Sequence, residues 1–249
     1  MSKSNLAVKE EMEEVVEEAI LPNATAKNNV RVMYNEKMKT KKKIIYKIIK
    51  RMIDIIGALI GTVLLIPVTI IIYFTRKFSK EEQGPLFYEQ LRYGKNGKIF
   101  RLYKYRSMCI GADEKLKEYL ANNEEARKEF KKTHKLQDDP RITQIGNFLR
   151  KTSLDELPQM INILKGDMSF VGPRPVIEKE VEEYGENKEK FLSVKPGLTG
   201  YWQVNGRSNT TYEERMEMEL YYVDNCSLWL DIKIFFKTFI TVFKKEGAV

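Results

Sequence analysis

The segment Met52–Phe74 is apolar except for Asp54 and scattered threonine and tyrosine positions. A helix needs about 20 such residues to cross the hydrocarbon of a bilayer, so the segment ties the chain to a membrane. It lies too far from the N-terminus for a secretion signal, and no small-residue cleavage site follows it. Its flanks argue against a simple crossing. Residues 37–51 hold eight Lys/Arg and no acid, and Arg76, Lys77 and Lys80 follow the segment. Basic residues at both ends favour both ends in the cytoplasm. Pro67 removes a backbone hydrogen bond and bends a helix. Asp54 is costly at bilayer depth, where an acid usually has a function. A helix that breaks near Pro67 and returns by the same face meets all three conditions. The alternative is an ordinary kinked transmembrane helix.

The rest of the 249 residues reads as one water-facing domain, with 31% of all residues charged and a net charge of +8. That balance suits anionic membrane, phosphorylated ligands or nucleic acid. Cys109 and Cys226 are far apart and read as free thiols of a reducing compartment. With His134 the single histidine, the usual ligand set of a zinc site is missing. A metal here would be a hard cation on carboxylates, with magnesium the first expectation.

Leu86–Tyr93 and Lys98–Arg106 alternate apolar and polar residues around Gly94-Lys-Asn-Gly97, the pattern of a β-hairpin. Helices are expected over Ala112–Lys132, Ile142–Arg150, Asp155–Leu164, Val176–Phe191 and Tyr212–Asp224. Lys195–Asn209 reads as a glycine-rich loop. Leu228–Lys245 is strongly amphipathic, with Ile232, Phe235, Phe236, Phe239, Ile240 and Phe243 at helical spacing. It can pack on the core or lie in the headgroup region. Glu10–Glu18 holds six glutamates and reads either as a short amphipathic helix or as a tail.

Asp155 and Glu156 are adjacent carboxylates between arginine-bearing segments. Two readings compete. Acids at a helix start complement its dipole, and Ser153-x-x-Glu156 matches a capping box. Alternatively, a carboxylate can attack phosphorus and form an acyl phosphate, while guanidiniums grip the phosphate oxygens. Arg150 lies five residues before Asp155. Arg174 is held between Pro173 and Pro175, which restrict its backbone. Arg207 sits beside Gly206, where backbone can approach a ligand closely. Lys104 lies on the second hairpin strand. Each of these cations taken alone is an ordinary surface charge.

Five blocks together carry a resemblance: Lys-Tyr-Arg-Ser-Met (104–108), Asp-Asp-Pro-Arg-Ile-Thr (138–143), Thr-Ser-Leu-Asp-Glu-Leu-Pro-Gln (152–159), Gly-Asp-Met-Ser-Phe-Val-Gly-Pro-Arg-Pro (166–175) and Lys-Pro-Gly-Leu-Thr-Gly-Tyr-Trp-Gln-Val-Asn-Gly-Arg (195–207). The chain resembles the bacterial sugar transferases, the monotopic phosphoglycosyl transferases that start capsule, exopolysaccharide and glycan assembly. The likeness runs over about 43–245 and is to the short form of the family.

The resemblance implies an α+β fold, mainly helical with a small β-hairpin. It places an N-terminal extension at 1–42, a re-entrant membrane helix at 43–77 broken around Pro67, and a cytosolic catalytic domain at 78–249 with interfacial helices. It makes Asp155 the nucleophile on the β-phosphate of a UDP-sugar, with UMP released and polyprenol phosphate as the acceptor. Glu156 assists as base or as an organiser of Mg2+, for which Asp155 and Glu156 are the expected ligands. Arg150, Arg174 and Arg207 match phosphate-contact positions, with Lys104 and Asp231 in support. The expected location is the bacterial inner membrane with the catalytic domain facing the cytoplasm. The expected partners are UDP-sugar, polyprenol phosphate and membrane but no nucleic acid, with a homodimer left open. The competing readings are direct attack in a ternary complex, and a non-enzymatic basic protein that binds membrane or nucleic acid.

Overall fold

A computed structural model describes residues 24–79, 84–133, 136–206 and 210–243. The glutamate-rich stretch Glu10–Glu18 and Arg207 lie outside the described residues. Contacts divide the chain into Met1–Ile49 and Lys50–Val249. One helix, α1 (Ala24–Lys77), runs through the boundary and continues across Pro67. The helix is therefore unbroken at the position where a break was expected, and its apolar part belongs with the second unit. From Lys42 to Lys77 it is long and apolar enough to cross a membrane.

Within the second unit α1 is buried on a single stripe, at Asp54, Ala58, Leu65 and Ile72. Spacings of four and seven place these residues on one face. The remaining faces expose Ile53, Ile56, Ile60, Val63, Leu64, Ile66, Ile70, Ile71 and Phe74. A helix that turns its polar group inward and its aliphatic groups outward is the reverse of a water-facing helix and suits lipid. The docked face is fixed by polar contacts along its length. Arg51 donates to the carbonyls of Ile163 (2.6 Å) and Leu164 (2.9 Å). Asp54 accepts from Ser169 Oγ (2.9 Å) and Phe170 N (3.0 Å). Thr69 Oγ1 meets the Tyr105 hydroxyl at 2.5 Å, and Arg76 reaches the Gly84 carbonyl at 2.9 Å. The acid at position 54 thus serves the structure, because it satisfies a backbone donor and a hydroxyl of the domain.

The hairpin forms as expected, with β1 (Phe87–Tyr93) antiparallel to β2 (Ile99–Tyr105). Asn96 (φ 57°) and Gly97 (φ 75°) in the turn take the left-handed backbone that Asn and Gly tolerate best. The expected helix over Ala112–Lys132 is two helices, α2 (Ala112–Asn122) and α3 (Glu124–Thr133). Asn123 separates them: its backbone is extended, and its side chain accepts from the Ala126 amide at 3.0 Å. Next come α4 (Gln144–Lys151), capped by Thr143 Oγ1 on the Gly146 amide at 2.9 Å, and α5 (Gln159–Lys165).

β3 (Ser169–Val171) pairs in parallel with β4 (Gly197–Thr199), so part of the expected loop is a strand. The expected helix over Val176–Phe191 is two short ones, α6 (Glu178–Glu183) and α7 (Lys188–Phe191). The chain ends with α8 (Tyr201–Asn205), α9 (Tyr212–Asn225) and α10 (Leu228–Phe243). The described residues are mainly helical with two small sheets. One core cluster joins α1, β2 and α5 through Ala58, Phe100, Leu102, Met160, Ile163 and Met168.

Candidate active site

The site is assembled by the fit of α5 on β2. Asn162 is fully buried. Its amide donates to the Arg101 carbonyl at 2.7 Å, and its oxygen accepts from the Tyr103 amide at 3.0 Å. The side chain thereby substitutes for a neighbouring strand and sets α5 against the free edge of β2. Lys104 on β2 then faces the turn that precedes α5.

That turn, Leu154–Glu156, is a single 3-10 turn, and the α-helix begins only after Pro158. Asp155 and Glu156 are therefore not in the first turn of the helix expected over Asp155–Leu164. The capping box at Ser153 does not form. Ser153 has left-handed backbone (φ 56°) and caps nothing with its side chain. A non-glycine residue there carries backbone strain of the kind that clusters at functional sites. The carboxylate of Glu156 turns instead to Lys104, whose Nζ lies 2.6 Å from Glu156 Oε1 and 3.9 Å from Asp155 Oδ2. Gln159, almost fully buried, lies near enough to favour the charged form of Glu156.

The two carboxyls are driven apart in acidity. Burial pushes Asp155 up to about 6; Lys104 and Arg150 oppose the rise, and the adjacent Glu156 adds to it. For Glu156, burial also favours the neutral form. The attraction and hydrogen bond of Lys104 outweigh it and hold this carboxyl below the usual range. Arg174 is close enough to contribute to that lowering. At neutral pH both groups are ionised in a half-dry pocket, where Asp155 is the poorly solvated and more basic member.

The arginines are held by neighbours that composition and spacing did not point to. Arg150 Nε donates to Ser107 Oγ at 2.9 Å. The Arg174 amide donates to Glu219 Oε1 at 3.2 Å, which adds an anchor to the proline-flanked loop. Glu219 is fully buried, accepts from the Tyr184 hydroxyl and lies 3.6 Å from Arg215 Nε. Burial raises its pKa, with Arg215 opposing. The i, i+4 spacing of Arg215 and Glu219 on α9 is visible in the sequence, but there it reads as one more surface ion pair. Lys104 thus contacts the Asp155–Glu156 turn directly, while Arg150 and Arg174 lie near enough to favour the charged forms of Asp155 and Glu156 respectively. Asp231 stands apart from that group of ion pairs. It bonds Lys50 Nζ and the Tyr222 hydroxyl, each at 2.7 Å, and so ties α10 to α1.

Glu156, Ser153 and Asp231 share the lining of one cavity of about 670 Å3. Its other walls are mostly apolar, from α1, α5, β3, β4 and α10, with Lys50, Asp54, Thr199, Gln203 and Thr238 as polar members. Gly57 and Gly61 allow α1 to sit close at this point: a Cβ at Gly57 would lie 2.6 Å from the Phe170 ring, and one at Gly61 2.7 Å from Met160 Sδ.

No cluster of three or more His, Cys, Asp or Glu able to hold a metal occurs among the described residues. Two adjacent carboxylates still form a hard-oxygen donor set. Such a set is compatible in its chemistry with a hard cation such as magnesium.

Comparison with known proteins gives this constellation a context. The bacterial sugar transferase family model matches residues 45–245. The undecaprenyl-phosphate galactose phosphotransferase of Salmonella typhimurium is 46% identical over 202 residues, covering 81% of this chain and 42% of that protein. The UDP-glucose:undecaprenyl-phosphate glucose-1-phosphate transferase of Escherichia coli is 40% identical over 206 residues, covering 80% of this chain and 40% of that protein. The exopolysaccharide production protein ExoY of Sinorhizobium fredii is 43% identical over 199 residues, covering 80% and 87% respectively. The chain thus spans about two fifths of the length of several relatives and most of the length of others. With the family model matched over most of its length, the chain belongs to the bacterial sugar transferase family.

Proposed function

We propose that the protein transfers a sugar-1-phosphate from a UDP-sugar to a polyprenol phosphate and releases UMP, in the opening membrane step of an exopolysaccharide or related glycan. The observation that carries this reading is Asp155. It is a buried carboxylate beside Lys104 and Arg150 in a turn whose neighbours line an apolar cavity, in a chain of the sugar transferase family. Two of the relatives above carry undecaprenyl phosphate and a sugar in their names.

In the proposed sequence, Asp155 Oδ attacks the β-phosphorus of the UDP-sugar, and the bond from that phosphorus to the bridging oxygen of UMP breaks. This leaves an acyl phosphate carrying the sugar. An oxygen of the polyprenol phosphate then attacks the same phosphorus and returns the carboxylate of Asp155. The product is a polyprenyl diphosphate sugar. Arg150, Arg174 and Lys104 bind and orient the phosphates and offset their charge; Arg207 is proposed to join them. Glu156 assists as a base or as a metal organiser; its contact with Lys104 keeps it ionised, which suits the second role better. Asp155 and Glu156 would hold magnesium, which when bound neutralises diphosphate oxygens and the departing UMP.

We further propose that α1 lies at the cytoplasmic face with both ends inside. Its polar contacts to the domain run from Arg51 to Arg76, a stretch of about 38 Å at 1.5 Å per residue. A helix docked over that length keeps the domain at its own depth.

The test is to supply enzyme with UDP-sugar and no acceptor. Covalent chemistry releases about one UMP per site and adds the mass of a phosphosugar to the peptide containing Asp155. A strict need for acceptor before any UMP is released would establish direct attack instead.

A further inference from the structure

We infer that the cavity between α1 and α10 is the seat of the acceptor's hydrocarbon, taking the first isoprene units next to its phosphate. The inference rests on the functional reading above and adds to it a location and a basis for selecting the tail. Three observations carry it. First, the cavity is continuous with the catalytic turn, because Ser153 and Glu156 line it together with Ile60 and Leu64 of α1 and Ile232 and Phe239 of α10. A lipid phosphate placed at the carboxylates therefore has an apolar trough directly beside it. Second, those four apolar side chains are all more than two fifths exposed, so the trough opens on the face where α1 presents its aliphatic surface. A long tail can leave it along that aliphatic surface into the bilayer. Third, the volume of about 670 Å3 is that of a site for a drug-sized ligand. It holds a few isoprene units and not a complete polyprenyl chain.

The trough is also built to keep its shape. Phe235 on α10 packs edge-on against Phe170, Phe236 and Phe239. The Lys50–Asp231 pair holds the two helices that form the walls. Stiff aromatic and aliphatic walls reward a tail that fills them, so the site should read the length of the first part of the tail.

The test uses full-length protein in nanodiscs, with UMP release as the readout. The acceptors are undecaprenyl phosphate and geranyl phosphate, and the donor is whichever UDP-sugar supports turnover. Leu64→Trp and Ile232→Trp should fill the trough. They should raise KM for undecaprenyl phosphate about tenfold or more, a factor that corresponds to losing the burial of about two methylene groups. KM for the UDP-sugar should be unchanged, and the preference for the long acceptor over the short one should shrink. Ile71→Trp, on the exposed face of α1 outside the trough, should behave as wild type. In an independent arm that needs no variant, wild-type protein is cross-linked with a prenyl phosphate bearing a diazirine on its first isoprene units. Label should fall in Ile53–Leu64 and Leu228–Phe239. Unchanged acceptor KM in both trough variants, an equal effect of Ile71→Trp, or label elsewhere overturns the trough while leaving the transferase reading intact. Absence of UMP release by wild type from every UDP-sugar and prenyl phosphate overturns the transferase reading, and the trough with it.

Discussion

Lys104 Nζ lies 2.6 Å from Glu156 but 3.9 Å from Asp155, so one cation is shared unequally between two adjacent carboxylates. Burial raises Asp155, the closer contact of Lys104 holds Glu156 low, and Asp155 is left as the group that titrates near neutrality. The acidic limb of kcat/KM should therefore follow Asp155, rising through about pH 6. In Lys104→Met the limb should move to higher pH, because the cation that favours the charged form is gone. A pH profile from 4.5 to 8.5 for both proteins checks this. An unmoved limb would mean that another group controls it.

Asp155→Asn should abolish turnover and also stabilise the fold at neutral pH. A carboxyl with its folded pKa raised to about 6 favours folding when protonated. That contribution is complete below its ordinary value near 3.9 and is lost as pH rises through 6. The raised value corresponds to at most about 3 kcal/mol. Thermal unfolding in detergent should show a higher midpoint for Asp155→Asn at pH 7.5 and no gain at pH 4. A lower midpoint at pH 7.5 would show that the ionised carboxylate holds the turn together.

Glu156→Gln keeps size and removes charge. As Glu156 caps no helix but engages Lys104, with Gln159 near enough to favour its charged form, the variant should retain its fold while turnover falls about 100-fold or more. Gln159→Leu should give a milder fall in kcat with little change in donor KM. Rates near wild type in both variants would remove Glu156 from the chemistry.

Asp54 satisfies Ser169 and the Phe170 amide inside the contact between α1 and the domain. Asp54→Leu leaves both donors without that acceptor and should cost about 2–5 kcal/mol, read as a lower unfolding midpoint. Asp54→Asn should recover part of the loss, since an amide oxygen still accepts. Equal stability of Asp54→Leu and wild type would show that the docking of α1 does not depend on this acid.

Topology is tested with single cysteines at Thr40 and Lys80 in a protein lacking Cys109 and Cys226. With both ends of the segment cytoplasmic, an impermeant thiol reagent should label neither in intact cells and both after lysis. Labelling of one alone before lysis would establish a crossing helix.

Features that depend on near neighbours were legible in the sequence. Alternation and a Gly-Lys-Asn-Gly turn specified the β1–β2 hairpin, and 3.6-residue periodicity specified α10, because side-chain direction along one element follows from backbone geometry. The membrane character of α1 followed from length and composition alone. The Asp155–Glu156 pair was legible as a candidate, and the family blocks drew Lys104, Arg150 and Arg174 to it. Tertiary structure decided what depends on distant partners. The β3–β4 pairing joins segments nearly thirty residues apart in sequence. The Ser153 capping box lost Glu156 to Lys104, which is 52 residues away in sequence. Asp54 found its donors more than a hundred residues downstream. A charged side chain has the same local signature whether water or a buried partner satisfies it. Only the packing of α1, α5, β3 and α10 around one cavity, and of β2 on the catalytic turn, separates those cases, because burial makes the unsatisfied alternative too costly.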